Sequence, residues 1–234
     1  MVTSDYIITT RPEEKFKPVN TRCISIKNVP LTKIVRTGRQ EEIIQGVIQN
    51  KPEIIVLTSS VGASEFFKYY YKYIENSHII AIGDKTAEEI KKYTGKVSVP
   101  TVRNSYGVIT MLENYLNSRI ALFRSNESNN IISDWLEENN ANFMEYYIYN
   151  VVKIVNPGIK DLFLENDCKG ILLTSSMEAT IFHEVLGSAD INKNIYAIGR
   201  VTEETLKKYG YYVSFTGNSD FYSIIKYIDN KNCK

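Results

Sequence analysis

The sequence predicts an α/β protein built from two similar parallel-sheet domains. The stretch 55–98 recurs at 171–214 with a constant offset of about 116 residues, and roughly 19 of 46 aligned residues are identical between 54–99 and 170–215. Each copy alternates short apolar runs with amphipathic segments, which is typical of repeated β and α units. The apolar runs lack polar alternation, as in parallel strands covered on both faces.

Each copy is predicted to run as strand, turn, helix, strand, turn and helix. In the first copy Ile54–Leu57 is a strand that ends in Thr-Ser-Ser, and 79–82 is a second strand that ends at Gly83. Thr86 begins a sequence typical of a capping box, and Thr202 stands at the same capping position in the second copy. Because ligands of parallel α/β sheets bind at the carboxyl ends of the strands, these turns are the expected site.

The rest of the chain supplies further elements and a hinge. Additional strands are predicted at 6–9, 22–26, 97–99, 120–123 and 144–155, and additional helices at 40–49, 105–116, 129–138 and 220–228. The strand 144–155 is longer than an ordinary strand, which indicates that it continues into a linker.

Extended passages at both predicted junctions indicate that the chain crosses twice between domains. We expect a continuous domain at 34–150 and a discontinuous one at 1–28 with 157–234, each flavodoxin-like. The segments 29–33 and 151–156 would form a two-stranded hinge.

Composition excludes several classes of protein. The net charge of +1 provides no basic field for nucleic acid or an anionic membrane. No apolar run approaches the roughly 18 residues that span a bilayer, and the first residues lack a signal pattern, so we expect a cytoplasmic protein without membrane contacts. Cys23, Cys168 and Cys233 are odd in number and widely spaced, which favours free thiols and no metal site.

An ordered set of motifs resembles the uroporphyrinogen-III synthase family. The set comprises Arg11-Pro12 after the first strand, Leu-Thr-Ser-Ser at a strand end, Ala-Ile-Gly-x-x-Thr before a helix, Tyr149 in the strand after Trp135, and the exit Asn156-Pro157-Gly158. The resemblance implies two α/β domains joined by a two-stranded ladder, with the active site in the cleft between them. It further implies conversion of the linear tetrapyrrole hydroxymethylbilane to uroporphyrinogen III, with loss of water and inversion of the last pyrrole ring through a spiro intermediate. No metal or organic cofactor is implied.

The resemblance assigns the catalytic role to Tyr149, as proton donor to the departing hydroxyl. Because the chain is nearly neutral while the substrate carries eight carboxylates, local donors at helix N-termini, hydroxyls and cations near strand ends are expected to bind it. These candidate substrate-binding residues are Arg11, Ser59, Ser60, Gly83, Lys85, Thr86, Arg124, Ser125, Ser175, Ser176, Gly199, Arg200 and Thr202.

Some of these positions depart from the family pattern or have simpler explanations. Ser60 and Ser176 stand where a proline often follows Thr-Ser, and Arg200-Val201 replaces a frequent Pro-Thr. The serines and threonines of the turns are also common helix caps. Tyr149 is one of 17 tyrosines, so packing within a strand is an alternative role for it. The arginines could instead be solvated or paired.

Other functions stay open at this point. The main alternative is a non-catalytic two-domain binder of a tetrapyrrole or another polycarboxylate. A dinucleotide enzyme is disfavoured because no Gly-x-Gly-x-x-Gly follows a strand. A pair of signalling domains would need an acidic cluster where this chain has Thr, Ser and Arg. For a synthase we expect a monomer that receives its bilane from the upstream bilane synthase.

Overall fold

A computed structural model describes residues 5–74, 76–154, 158–187 and 192–233. The strands are β1 (Tyr6–Thr9), β2 (Ser25–Asn28), β3 (Thr32–Arg36), β4 (Ile54–Leu57), β5 (His78–Ala81), β6 (Val97–Ser98), β7 (Ile120–Ser125), β8 (Phe143–Lys153), β9 (Cys168–Leu173), β10 (Asn194–Ala197) and β11 (Phe215–Thr216). The α-helices are α1 (Gln40–Asn50), α2 (Ser60–Tyr69), α3 (Asp84–Lys91), α4 (Ser105–Leu112), α5 (Ile131–Glu138), α6 (Gly158–Leu164), α7 (Ser176–Leu186), α8 (Arg200–Lys208) and α9 (Phe221–Asn232). Within these ranges, no helix combines the length and the apolar character needed to cross a lipid bilayer.

The strands form two sheets that are dominated by parallel pairs, which confirms the predicted fold class. One sheet has the order β11-β10-β9-β1-β2, and the other has the order β3-β8-β7-β4-β5-β6. Neighbours are parallel throughout the first sheet and from β8 to β6 in the second. The carboxyl ends of these parallel strands therefore share one edge of each sheet, where a ligand site is expected.

Burial on both faces explains why the strands are continuously apolar. In β1, Tyr6 and Ile8 pack in one hydrophobic cluster while Ile7 packs in another. In β9, Leu173 belongs to the first cluster and Leu172 to the second. Alternate residues of a strand point to opposite faces, so a strand covered on both faces must be apolar at every position.

Contacts along the chain divide it into two compact units. Unit 1 comprises Met1–Ile34 with Val152–Lys234, and unit 2 comprises Val35–Val151. Two strands that overlap the predicted hinge segments 29–33 and 151–156 only in part, β3 and β8, are hydrogen-bonded neighbours in their sheet. The predicted domain boundaries and the two-stranded hinge stay predictions, and residues 155–157 of the second crossing lie outside the described residues together with the Asn156-Pro157 motif.

The predicted caps of two helices are wrong. Helix α3 has Gly83 as its N-cap and α8 has Gly199, so Thr86 and Thr202 lie within the first turn and are buried. Glycine at position 199 avoids a steric clash, because a Cβ there would lie 2.7 Å from Ser219 Oγ. Thr86 and Thr202 therefore do not cap the N-termini of these helices as the sequence pattern predicted.

Several element boundaries also differ from the prediction. The strand expected at 22–26 is β2, three residues later, because the backbone N–H groups of Arg22 and Cys23 bind the carboxylate of Asp229 instead of a neighbouring strand. The helix expected at 220–228 is α9, which Asp220 caps by accepting from Ser223 N at 2.9 Å.

The expectation of free thiols is wrong for two of the three cysteines. Cys23 and Cys233 form a disulfide, with their Cα atoms 5.1 Å apart, although 210 residues separate them in sequence. Cys168 is free and buried at the start of β9. The fold of unit 1 brings the segment before β2 against the end of α9, a long-range contact that cysteine spacing alone does not reveal.

Candidate functional site

The turn after β4 joins a serine cap to a buried tyrosine. Ser59 is the N-cap of α2, and its Oγ accepts a hydrogen bond from Gly62 N at 2.9 Å. The same Oγ lies 2.9 Å from the hydroxyl of Tyr149, which is only 3% exposed. Tyr149 stands on β8 opposite Ser125 of β7. Ser59 was predicted from a strand-end motif and Tyr149 from its position after Trp135. The two residues are in direct contact.

The absence of a long side chain at position 62 leaves space for this contact. A Cβ there would meet Ser59 Oγ at 3.0 Å and Tyr149 Cε1 at 3.5 Å. A longer side chain would therefore compete with the tyrosine ring for the same space.

The remaining candidates of unit 2 lie near the ends of β4 and β5. Ser60 is exposed as the first residue of α2, and Lys85 is exposed in the first turn of α3. Gly83 is partly buried and Thr86 is buried. Since β4 and β5 are parallel neighbours, these turns share one edge of the sheet.

Arg124 and Ser125 occupy different surroundings from those expected of ligand-binding groups. The Arg124 side chain is 2% exposed and forms an ion pair with Glu145. Its guanidinium also donates to the carbonyl of Asn129. Ser125 is buried as well, with its Oγ 3.4 Å from Ser128 Oγ. These placements favour structural roles at the end of β7.

The corresponding turn in unit 1 is built around a buried carboxylate. Ser175 caps α7 by accepting from Glu178 N at 3.1 Å. The Glu178 side chain, in a residue that is 1% exposed, accepts hydrogen bonds from Thr10 Oγ1 at 2.6 Å, from Thr174 N at 2.8 Å and from Thr32 Oγ1 at 3.3 Å. Burial raises the pKa of Glu178, and these hydrogen bonds act in the opposite direction. The Glu178 carboxylate therefore connects the ends of β1 and β9 with the start of β3 through hydrogen bonds.

Motif comparison missed Glu178, although the sequence contains a signal for it. Ser175 followed three residues later by an acidic residue is a capping-box pattern. At the equivalent place in the first copy stands Gly62, so the repeat itself hides the acid.

The other candidates of unit 1 are spread over three turns. Arg11 follows β1, with its Cζ 4.6 Å from the centre of the Phe221 ring. Burial lowers the pKa of Arg11. Ser176 is the half-buried first residue of α7. Gly199 caps α8, where Arg200 is exposed and pairs with Glu204 at 2.8 Å.

One cluster among the described residues has donor types suited to a metal, namely Cys23, Asp229 and Cys233. Its two sulfurs are joined in the disulfide. The Asp229 carboxylate already accepts from the backbone N–H groups of Arg22 and Cys23. Burial raises the pKa of Asp229, but these backbone hydrogen bonds outweigh burial and hold it below its usual value. The cluster is therefore satisfied without an ion.

Chemically, the described groups can donate hydrogen bonds and protons at strand ends. The first turns of α2, α3, α7 and α8 present backbone N–H groups, which favour anions. The Tyr149 hydroxyl and the Ser59 hydroxyl lie within hydrogen-bond distance, and either can be the donor.

Structural comparison places the chain among solved proteins of the same fold. It matches uroporphyrinogen-III synthetase from Helicobacter pylori 26695 with a TM-score of 0.69 at 13% identity, covering 97% of this chain and 99% of that one. It matches a mutant uroporphyrinogen III synthase from the extremely thermophilic bacterium Thermus thermophilus with a TM-score of 0.65 at 13% identity, covering 97% and 98%. At this identity the likeness shows the fold alone. No curated protein sequence matches the chain.

Family membership comes from the sequence itself. The family described as uroporphyrinogen-III synthase HemD matches residues 24–217, which is most of the chain. The matched range contains both copies of the repeat and the turns after β4, β5, β9 and β10, while Arg11 lies before it. The chain belongs to the uroporphyrinogen-III synthase HemD family.

Proposed function

We propose that this protein is a uroporphyrinogen-III synthase, a cyclising lyase that converts hydroxymethylbilane to uroporphyrinogen III. The reaction removes water, closes the macrocycle and inverts the terminal pyrrole ring. The observation that carries the proposal is the family match over residues 24–217. The contact between Ser59 and Tyr149 supports it, because it supplies a proton donor at a strand end.

In this mechanism Tyr149 protonates the departing hydroxyl of the substrate. The C–O bond breaks, water leaves, and the remaining carbocation is attacked by the terminal pyrrole to give the spiro intermediate. Since Ser59 Oγ already accepts from Gly62 N, its own O–H is available to donate to the tyrosine oxygen once the proton has left. This hydrogen bond to an oxyanion would be stronger than one to a neutral oxygen. Ser59 is accordingly a positioning residue and Tyr149 the catalytic one.

Carboxylates of the substrate are bound by local groups in each unit. A helix N-terminus stabilises a carboxylate by roughly 0.3–1 kcal/mol at an exposed site, so several such contacts are needed. In unit 2 the contributors are Ser60, Gly83, Lys85 and Thr86, and in unit 1 they are Arg11, Ser175, Ser176, Gly199, Arg200 and Thr202. Arg124 and Ser125, which were also predicted to bind substrate, are engaged with Glu145 and Ser128, and we propose that they support the turn from within the fold.

Control of conformation is the main catalytic task. Closure without inversion gives isomer I, so the enzyme needs only to favour one closure. A hundredfold preference corresponds to about 2.7 kcal/mol of differential stabilisation. Many weak contacts along a flexible substrate can supply this amount.

The decisive experiment is a coupled assay. Hydroxymethylbilane is generated in situ by its synthase, this protein is added, and the oxidised uroporphyrin isomers are separated by chromatography. We expect isomer III to replace isomer I. Persistence of isomer I with folded protein would contradict the proposal and favour a non-catalytic tetrapyrrole binder. Light scattering at about 26.8 kDa would fit the expected monomer.

A further inference from the structure

A single side chain continues the pairing of β8 beyond the end of β7. Strand β7 ends at Ser125, opposite Tyr149, whereas β8 continues to Lys153. The next residue after β7, Asn126, binds β8 through its side-chain amide. Val151 N donates to Asn126 Oδ1 at 2.8 Å, and Asn126 Nδ2 donates to Val151 O at 3.4 Å. The asparagine thus replaces a neighbouring strand, because its amide bonds both backbone groups of Val151.

The backbone that carries Tyr149 is irregular. Ser125 of β7 lies opposite Tyr149. The preceding residue of β7 lies opposite Tyr147, so one extra residue of β8, Ile148, is accommodated immediately before the tyrosine. Such an extra residue disrupts the ladder locally and changes the direction of the side chains beside it. The direction of the Tyr149 side chain therefore depends on how β8 is held on both sides of the shift.

Two contacts hold β8 on either side of this shift. Before it, Thr37 N donates to Ile148 O at 3.3 Å. After it, Asn126 binds Val151, two residues beyond Tyr149. Residues two apart in a strand point to the same face, so a fixed backbone at Val151 limits rotation of the strand at Tyr149. The hydroxyl is at the far end of the tyrosine side chain, where a small rotation of the backbone causes the largest displacement.

We propose that Asn126 is a positioning residue for Tyr149. The inference rests on the proposed function, in which the Tyr149 hydroxyl donates a proton, and it adds a residue that no motif singled out. By fixing the backbone of Val151, Asn126 keeps this hydroxyl 2.9 Å from Ser59 Oγ, in the orientation that proton transfer requires. Asn126 is itself exposed, so its amide acts by orienting the strand and not by packing in the core.

A direct contact with substrate would be a different role for the same side chain. Asn126 lines a cavity of about 720 Å³ between α1 and β8. The two roles differ in their kinetic consequences. Removing a residue that only binds substrate raises KM, whereas removing one that orients the proton donor lowers kcat.

The test compares Asn126→Ala with Asn139→Ala. Asn139 is the matched control because it is also exposed, lies in the same unit, and donates through Nδ2 to a backbone carbonyl, that of Trp135, at 2.8 Å. In the isomer assay we expect Asn126→Ala to lower kcat about fivefold and to leave KM within about twofold. Asn139→Ala should leave both constants within about twofold.

The same substitution in the Tyr149→Phe background shows whether Asn126 acts through the tyrosine. The proton donor is already absent from that background, so Asn126→Ala should lower kcat no further. An equal loss in the two backgrounds would indicate a general structural role and would overturn the inference. An unchanged kcat in the wild-type background, or a rise in KM without a fall in kcat, would overturn it as well.

A second measurement does not depend on turnover. In protein labelled with ¹³C at tyrosine Cζ, the NMR signal of Tyr149 is the one that is missing from Tyr149→Phe. We expect Asn126→Ala to shift this signal in the same direction as Ser59→Ala does, and Asn139→Ala to leave it in place. An unshifted signal in Asn126→Ala would contradict the positioning role. If wild type makes no isomer III, the proposed function fails, while the signal still reports whether Asn126 orients Tyr149.

Discussion

The turns after β4 and β9 have the same sequence, Leu-Thr-Ser-Ser, and the same serine cap, yet different groups fill the space beside the cap. In unit 2 glycine at position 62 leaves room for Tyr149, whose hydroxyl contacts Ser59. In unit 1 the equivalent position is Glu178, whose carboxylate accepts hydrogen bonds from three threonines. One copy therefore has a contact between two hydroxyls, and the other copy has a buried acid at the corresponding turn. The two turns thus differ at one position of the repeat, which is Gly62 in unit 2 and Glu178 in unit 1.

The largest expected effect comes from removing that acid. Glu178→Ala removes the carboxylate that accepts from Thr10 Oγ1, Thr32 Oγ1 and Thr174 N, so we expect the free energy of unfolding to fall by about 3 kcal/mol. Urea denaturation measures it. The control is Glu184→Ala. Glu184 lies on the same helix as Glu178, is exposed and forms an ion pair with Lys153, so its removal should lower the free energy of unfolding by less than about 1 kcal/mol. Equal losses for the two variants would mean that the buried network does not stabilise unit 1.

The buried carboxyl of Glu178 should also make the stability of unit 1 depend on pH. Its pKa is raised in the folded protein, so the folded state binds the proton more tightly than the unfolded chain does. The stability linked to Glu178 is thus complete below the unfolded value near 4.5 and is lost as pH rises through the folded pKa. Glu178→Gln lacks this titration. Thermal midpoints from pH 4 to pH 8 should shift progressively in favour of the glutamine variant, and a constant difference would contradict the assignment.

The two serine caps should have equal structural effects and unequal kinetic ones. Ser59→Ala and Ser175→Ala each remove an N-cap, which costs about 1 kcal/mol. Only Ser59 contacts Tyr149, so Ser59→Ala should lower kcat severalfold, whereas Ser175→Ala should act mainly on KM. Steady-state kinetics with the isomer assay distinguishes them. A matching fall in kcat for both would argue against a special role of unit 2.

The smallest effect is expected at the glycine itself. In Gly62→Ala the new methyl would lie 3.0 Å from Ser59 Oγ, which requires a small adjustment, while alanine is favoured over glycine in a helix by about 1 kcal/mol. We expect stability to change by less than about 1 kcal/mol. Gly107→Ala is the contrasting variant, since its Cβ would fall 1.9 Å from Val102 O, and it should be far more destabilising. Similar losses of stability for the two variants would show that the turn after β4 cannot accommodate a methyl group at position 62.

The sequence predicted the architecture well because the repeat and the apolar strands are local signals. Strand β4 was predicted to the residue, since four buried aliphatic residues are bounded by polar ones. Start points of α3 and α8 were wrong because a glycine caps each of them, which a side-chain pattern does not reveal.

Long-range contacts were the part that sequence could not supply. Both Ser59 and Tyr149 were candidates, but their contact depends on the placement of β8 beside β7. Arg124 was expected to bind ligand, and its ion pair with Glu145 appears only in the folded sheet. The disulfide likewise follows from tertiary structure.

The rate at which Tyr149→Phe forms isomer III tests the role of Tyr149. Tyr146→Phe is the control, because Tyr146 lies on the same strand, is also buried, and has its hydroxyl 3.4 Å from Asn50 and not from Ser59. We predict that Tyr149→Phe keeps measurable activity at about a tenth of the wild-type rate, equivalent to about 1.4 kcal/mol, while Tyr146→Phe stays within twofold. An unchanged rate for Tyr149→Phe would remove this tyrosine from the mechanism and would contradict the account of the turn after β4.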